Sequence, residues 1–396
     1  MKVLVANLGS TSYKYRLFEL VGGAPVGVAS GKFERVEDFG EVIRNGLDAL
    51  RDEGHIASDA DIAAVGFKAV FGGEVSGCRF IDGEVIEALE AGTFIAPAHN
   101  PAYLEGIRQF QKILPDARLV ALFETAFYQW MDEAARRYAV PPAWHEAGVV
   151  RYGFHGASHK YIAQRTAELA GREDVAERVR RLYHTPEPLP IDDAPFRVVS
   201  CHLGGSSSVT GIRDGLAVGC SLGLSPQSGL PHNNRVGELD SMAIPFVMDK
   251  LGLTIEEAAT QLSVEGGLLG LSKCSNDLRD IREAAANGSA DAQLAVDFLV
   301  HQIRHWIGAF QLEIGGIEAL AFTGGIGENN PDLRAKVCAG LEPFGIALDD
   351  AGNNACTGSE SDISLADAPA GVFVIPAQEE EVIAGEVFRA IETESK

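Results

Sequence analysis

The sequence predicts an α/β protein built from two copies of one unit, and three observations carry that expectation. At 396 residues, 46% of them hydrophobic, the chain is too long for one ordinary core and suits two. VLVANLGSTS near the start and VVSCHLGGSSS near residue 200 share one design: apolar strand, polar residue, Leu-Gly, then small hydroxyl residues. Helix-length and strand-length segments alternate through the last third. The 44 glycines are scattered rather than periodic, which removes collagenous and low-complexity classes.

Residues 3–6 form an apolar run ending at Gly9-Ser10-Thr11-Ser12, and residues 13–18 alternate as a second strand, so the pair reads as a hairpin with a small-residue tip. A helix is expected around 41–53, then a strand at 62–70 ending in Gly72-Gly73-Glu74. The turn at 96–101 opens a helix over 102–113, and 117–123 reads as a buried strand. From Arg151 a loop feeds an amphipathic helix; residues 171–196, charged and then proline-rich, read as an exposed excursion. Strands at 197–203 and 209–213 flank the second Gly/Ser tip. Helices at 255–262 and 290–313, a strand at 319–322, the loop TGGIGENN, a strand at 372–375 and a terminal helix follow.

The net charge is −23, which repels phosphate backbones and anionic lipid, so no nucleic-acid or membrane partner is expected. The first twenty residues lack a signal-peptide apolar core, and no run of 18 apolar residues occurs. Six widely spaced cysteines without a CxxC pair read as reduced, mostly buried thiols. A soluble cytoplasmic protein is expected.

Gly/Ser tips expose backbone N–H groups and hydroxyls to phosphate oxygens, although a single such tip is more often only a turn. Two of them, plus the Gly-rich stretch 323–329, bring the phosphate reading level with the bland one. There is no GxxxxGK[ST] and no GxGxxG after a strand, so neither a P-loop nor a dinucleotide fold is indicated. His99, His155 and His202 adjoin glycine or proline in expected loops, where they can meet a ligand, but no metal-ligand spacing includes them. Glu124 and the Glu379–Glu380 pair sit after strands, where carboxylates hold Mg²⁺ beside phosphates. Lys14, Lys68 and Arg235 are the cations available to such a site.

These stretches resemble the acetate kinase family of the sugar kinase, heat-shock chaperone and actin superfamily. The match runs through NLGSTSYK (7–14), GGE (72–74), APAHNP (96–101), TAFYQ (125–129), RYGFHGASHKYIAQR (151–165), CHLGGSSSV (201–209), SNDLRD (275–280), FTGGIGEN (322–329) and IPAQEE (375–380), in the family's order and over nearly the whole length. The resemblance implies two duplicated ribonuclease-H-like (actin-like ATPase) domains around a central cleft. Residues 1–124 with 380–396 would form the carboxylate-side domain, and 125–379 the nucleotide-side one, in a homodimer. It implies ATP- and Mg²⁺-dependent phosphorylation of a small carboxylic acid to an acyl phosphate and ADP. Asn7 and Glu379 would sit near the metal, and Ser10, Ser12 and Lys14 at the first phosphate loop. His155, Arg235, Glu124 and Lys68 would be catalytic. Lys68, Arg235, Ala98, Phe154 and Pro226 would hold the acid, with His99 lining the cleft. His202, Gly204, Gly205, Asp277, Leu278, Arg279, Gly325, Gly327 and Asn329 would serve the nucleotide.

Several positions depart from the family pattern. Lys68 replaces an arginine of its His-Arg-Val-Val-His-Gly-Gly stretch, keeping the charge but losing the planar fork. Glu124 replaces an aspartate; one added methylene displaces the carboxylate by about 1 Å, a shift that can cost about a hundredfold in rate. Gly205 replaces an asparagine, and Pro231-His232-Asn233-Asn234-Arg235 stands where the family has Met-Met-Gly-Thr-Arg. Ala98 replaces a leucine, and Leu278 a phenylalanine. The smaller wall and new polar groups suggest an acid bulkier or more polar than acetate. A different phosphoryl donor, such as pyrophosphate, and a non-catalytic nucleotide-binding sensor remain the alternatives.

Overall fold

Two six-stranded mixed sheets repeat one another strand for strand in the computed structural model, which describes residues 1–97 and 99–394. The first contains β1 (Lys2–Gly9), β2 (Ser12–Val21), β3 (Ala24–Glu34), β4 (Ile62–Ala69), β5 (Cys78–Phe80) and β6 (Arg118–Phe123), in the order β3-β2-β1-β4-β6-β5. The second contains β7 (Arg197–Leu203), β8 (Ser207–Arg213), β9 (Leu216–Cys220), β10 (Ala319–Thr323), β11 (Ser361–Asp362) and β12 (Gly371–Val374), in the order β11-β12-β10-β7-β8-β9. Each sheet is a three-stranded antiparallel meander, then two parallel pairings, then an antiparallel edge. The echo between residues 3–12 and 198–208 is therefore a true duplication, and the fold is two ribonuclease-H-like domains.

The central strands are apolar on both faces because helices cover both. Val198, Ile212, Ala319, Ala321 and Phe373 join the core that continues from the first sheet, whereas Val199, Cys201, Leu320, Phe322 and Val372 enter a second core. That is the period-two alternation of a sheet buried on two sides. The helix Glu379–Glu394 returns to the first sheet, burying Ile383, Ala384, Val387 and Phe388. Gly66 in β4 makes this possible, since a Cβ there would lie 2.8 Å from Ile383 Cγ2 and 2.9 Å from Val387 Cγ2.

Several local expectations need correction. The segment 171–196 is not an exposed excursion throughout: Glu173–Arg181 is a helix whose Val175, Ala176 and Val179 are buried, and only the stretch after it is irregular. Its Arg and Glu residues mask a narrow apolar stripe. Residues 324–329 are a short helix, Gly324–Asn329, rather than a loop. His202 lies within β7, not in a loop. Strands β3 and β9 escape the sequence reading: Gly27, Ser30 and Gly31 interrupt the apolar residues of β3, and β9 is only five residues long. Cys201, Cys220, Cys338 and Cys356 are buried, Cys78 is half-buried and Cys274 exposed, all unpaired. Among the described residues no helix is long and apolar enough to cross a membrane.

Candidate active site

The two hairpin tips face a cavity of about 490 Å³. Asn7, Gly9, Ser12 and Lys14 reach it from the first hairpin, and Gly204, Gly205 and Ser206 from the second. Ser10 is exposed at its tip and does not line the cavity. Lys68 from β4, Glu124 after β6 and Glu379 at the start of the final helix enter from one side. Phe154, His155, His202, Pro226 and Arg235 also line the cavity, as do His99 and Tyr103, whose hydroxyl donates to Asn7 Oδ1 at 3.2 Å. The expected residue Ala98 lies outside the described residues.

Lys68 Nζ is 2.7 Å from Glu379 Oε2 and 3.6 Å from Glu124 Oε1. The long single-headed cation and the longer acid thus meet each other. Burial opposes the charge on Lys68, but the two carboxylates overrule it and hold the ammonium above its usual range. Glu379 is likewise desolvated, yet Lys68 and His202 keep its pKa below normal. Glu124 is pushed up to about 7: burial is the main cause, Lys68 opposes it, and Glu379 adds to it. Among the described residues both Glu124 oxygens are buried without a hydrogen bond, the Lys68 ammonium at 3.6 Å being an ion-pair contact.

A raised carboxyl pKa stabilises the folded state only where the unfolded chain also holds the proton. Glu124 therefore contributes stability below about pH 4.5 that is lost as pH rises to about 7. Unfolding of nucleotide-free protein should show falling stability between pH 5 and 8. In Glu124→Gln that fall should shrink by about 2–3 kcal/mol. An unchanged slope would show that another group carries it.

The histidines are held neutral. His155 sits at φ +59° immediately before the helix Gly156–Leu169. That left-handed turn, and a glycine at 156 whose Cβ would collide with Glu124 O, seat the ring beside the acid. Burial drives the His155 pKa well below normal, and His202, stacked on it at 4.3 Å between centroids, adds to this. Burial also takes His202 down to about 4. Burial and then Lys68 and Arg235 lower His99.

Arg235 differs from most arginines of this chain. It is half-buried, it lines the cavity, and among the described residues its guanidinium makes no hydrogen bond or ion pair. Buried charges are normally paired, so this cation is free to take an anion.

A second cavity of about 580 Å³ adjoins the first through Gly204, Gly205 and Gly325, and is lined by Asn233, Asp277, Leu278, Arg279, Ile326 and Asn329. Gly327 is buried beneath it and lines neither cavity. Asn233 stands against Gly205: a Cβ there would be 3.2 Å from Asn233 Nδ2. The Asn233 carboxamide thus comes up to position 205 from the facing loop. His232 is buried, accepting from Ser207 N at 3.0 Å through Nδ1, with Nε2 3.3 Å from Ser228 O. Of these polar groups, His232 is buried in contacts with its own loops and Asn233 lines the second cavity; neither lines the first.

Residues 29–385 match the model of the acetokinase family. The chain is 38% identical to an acetate kinase of Geobacillus kaustophilus, with 98% of each chain covered. It is 36% identical to one of Methanosarcina thermophila, over 100% of this chain and 98% of that one. Among solved structures it resembles Porphyromonas gingivalis acetate kinase, with a TM-score of 0.87 and 34% identity over 98% of this chain and 99% of that one. A propionate kinase from Francisella tularensis gives a TM-score of 0.82 and 29% identity over 97% and 98%. With the duplicated fold and both cavities in place, the chain belongs to the acetokinase family.

Proposed function

We propose that the chain transfers the γ-phosphoryl group of ATP to the carboxylate of a small organic acid, giving an acyl phosphate and ADP. It is a phosphotransferase with a carboxyl group as acceptor. The observation that carries this reading is Arg235, an unpaired guanidinium in a cavity that Phe154, Val70 and Pro226 make partly apolar. Such a pocket suits a short acid with its carboxylate on the guanidinium. The alternatives of a pyrophosphate donor or a non-catalytic binder are not favoured by the likeness to acetate and propionate kinases.

An attacking carboxylate needs no base. Its oxygen forms a bond to the γ-phosphorus while the bond to the β,γ-bridging oxygen breaks, and ADP leaves with that electron pair. The protein's task is to hold two anions in line and offset the charge that builds on the equatorial oxygens. Arg235 and Lys68 orient the acid, and His155 and His202 face the transferring group as neutral donors. Asp277, Leu278, Arg279, Gly325 and Asn329 take the adenosine, and Ser12, Lys14 and Gly204–Gly205 the phosphates. Glu379, Asn7 and the unbonded oxygens of Glu124 are hard oxygen donors suited to Mg²⁺, which binds few protein ligands beside phosphates. When bound, Mg²⁺ would neutralise phosphate charge.

The same reading divides the chain at 1–124 with 380–396, and at 125–379. The exposed apolar side chains Met242, Phe246, Leu251, Ile255 and Val264 support a homodimer. Unpaired cysteines support a cytoplasmic location.

Hydroxylamine trapping with Mg-ATP tests the assignment across formate, acetate, propionate, butyrate, glycolate, lactate and glycerate. Acyl hydroxamate is expected with acetate or a bulkier short acid, and its loss in His155→Ala. ATP binding without hydroxamate from any acid would overturn the kinase reading.

A further inference from the structure

A chain of buried side chains behind His155 ends in a hydroxyl with one partner. His155 Nδ1 is 2.7 Å from Ser208 Oγ, which is 2.8 Å from His159 Nε2. His159 Nδ1 is 2.8 Å from Ser200 Oγ. Ser200, Ser208 and His159 are completely buried, and among the described residues Ser200 Oγ has no other hydrogen-bond partner. The register of β7 on β8 sets Ser200 two residues before His202, and His202 directly opposite Ser208, so these side chains share one sheet face. The helix Gly156–Leu169 lays His159 across it.

We propose that Ser200, His159 and Ser208 are positioning residues forming a one-way hydrogen-bond relay that fixes His155 as its Nε2–H tautomer. Direction follows from counting protons. The Ser200 O–H can reach only His159 Nδ1, so that nitrogen accepts. The neutral His159 then carries its proton on Nε2 and donates to Ser208 Oγ. The Ser208 O–H in turn donates to His155 Nδ1, leaving the His155 proton on Nε2, the one ring nitrogen free for the cleft. The same count applies next door: Ser158 Oγ, 2.8 Å from His202 Nδ1, has no other partner among the described residues, so His202 also carries its proton on Nε2. Two stacked imidazoles then present N–H donors without net charge.

Reversing the relay is unfavourable. Charging His155, or moving its proton to Nδ1, turns Ser208 round, makes His159 Nδ1 a donor, and leaves the Ser200 proton buried without an acceptor. Burying such a donor biases the two arrangements by roughly ten- to a hundredfold. Ser200 thus acts on the reacting group through two intervening side chains. This consequence for catalysis rests on the role given to His155 above, whereas the tautomer does not.

Nitrogen-15 spectra of histidine-labelled, nucleotide-free protein test it, with the His155 signals assigned by their loss in His155→Asn. The expected result is an unprotonated Nδ1 and a protonated Nε2 on His155, unchanged from pH 6 to 8. A proton on Nδ1, or an imidazolium in that range, would overturn the proposal whether or not the chain phosphorylates carboxylates. In Ser200→Ala the His155 signals should show both tautomers and kcat should fall about tenfold, with both KM values within twofold. Ser200→Thr should restore the single tautomer. A Ser200→Ala protein with unaltered His155 signals and kcat would also overturn it, and should that variant not fold, the wild-type spectrum alone decides.

Discussion

Arg235→Ala should lower kcat/KM for the acid by about 10²–10³-fold, chiefly through KM, while KM for ATP moves less than threefold. The asymmetry follows from the pocket. Among the described residues the guanidinium has no partner, so its removal strands no internal carboxylate, and the loss falls on whichever anion it was to meet. Because folding does not rely on it, thermal stability should hold or rise slightly. Added guanidinium salt should recover part of the activity in the variant and none in the wild type. Steady-state kinetics with each substrate varied in turn makes the check. A change confined to KM for ATP would move Arg235 to the phosphate side.

The second large effect is expected at Lys68. Lys68→Met removes the cation between Glu124 and Glu379 and leaves two desolvated carboxylates facing each other. Breaking a buried pair from one side costs about 3–5 kcal/mol, which the site meets by taking up a proton. Activity at pH 7 should drop by roughly 10²–10³-fold, and the Glu124 pKa, already about 7, should climb further. The acid limb of the pH–rate profile then moves upward, so raising the pH should recover some rate. Lys68→Arg should keep at least a tenth of the activity, because a planar fork can also meet both acids. If Lys68→Met stays within tenfold of the parent at pH 7, the triad is not part of the rate-determining site.

What the sequence disclosed was what local chemistry encodes. The hairpin tips at Gly9–Ser12 and Gly204–Ser206 were legible because turn residues and strand patterns sit within ten residues of each other. The strand-end positions of Glu124 and His155's glycine-flanked turn were legible for the same reason. Contacts that depend on register between distant segments were not. Lys68 and Glu379 are 311 residues apart, and nothing in either neighbourhood announces the other. Asn233 at Gly205 needs the facing loop in place, so the sequence read its amide as part of an acid pocket. The Ser200 relay needs β7 registered on β8 and a helix laid across both. Serines in a strand otherwise read as ordinary small residues.

The helix Glu379–Glu394 has a consequence for biosynthesis. It covers β4 of the first sheet at Gly66, and its buried Glu386 pairs with Lys160 at 2.9 Å and His184 at 2.6 Å. The first six strands are therefore translated roughly 250 residues before their cover emerges, on the order of 10–50 s at ~5–20 residues per second. Through that interval one apolar face of the first sheet waits in contact with solvent or with a chaperone. Translation speed between the codons for β6 and for the final helix, rather than any contact within the native protein, then sets how long the nascent first domain stays exposed to aggregation.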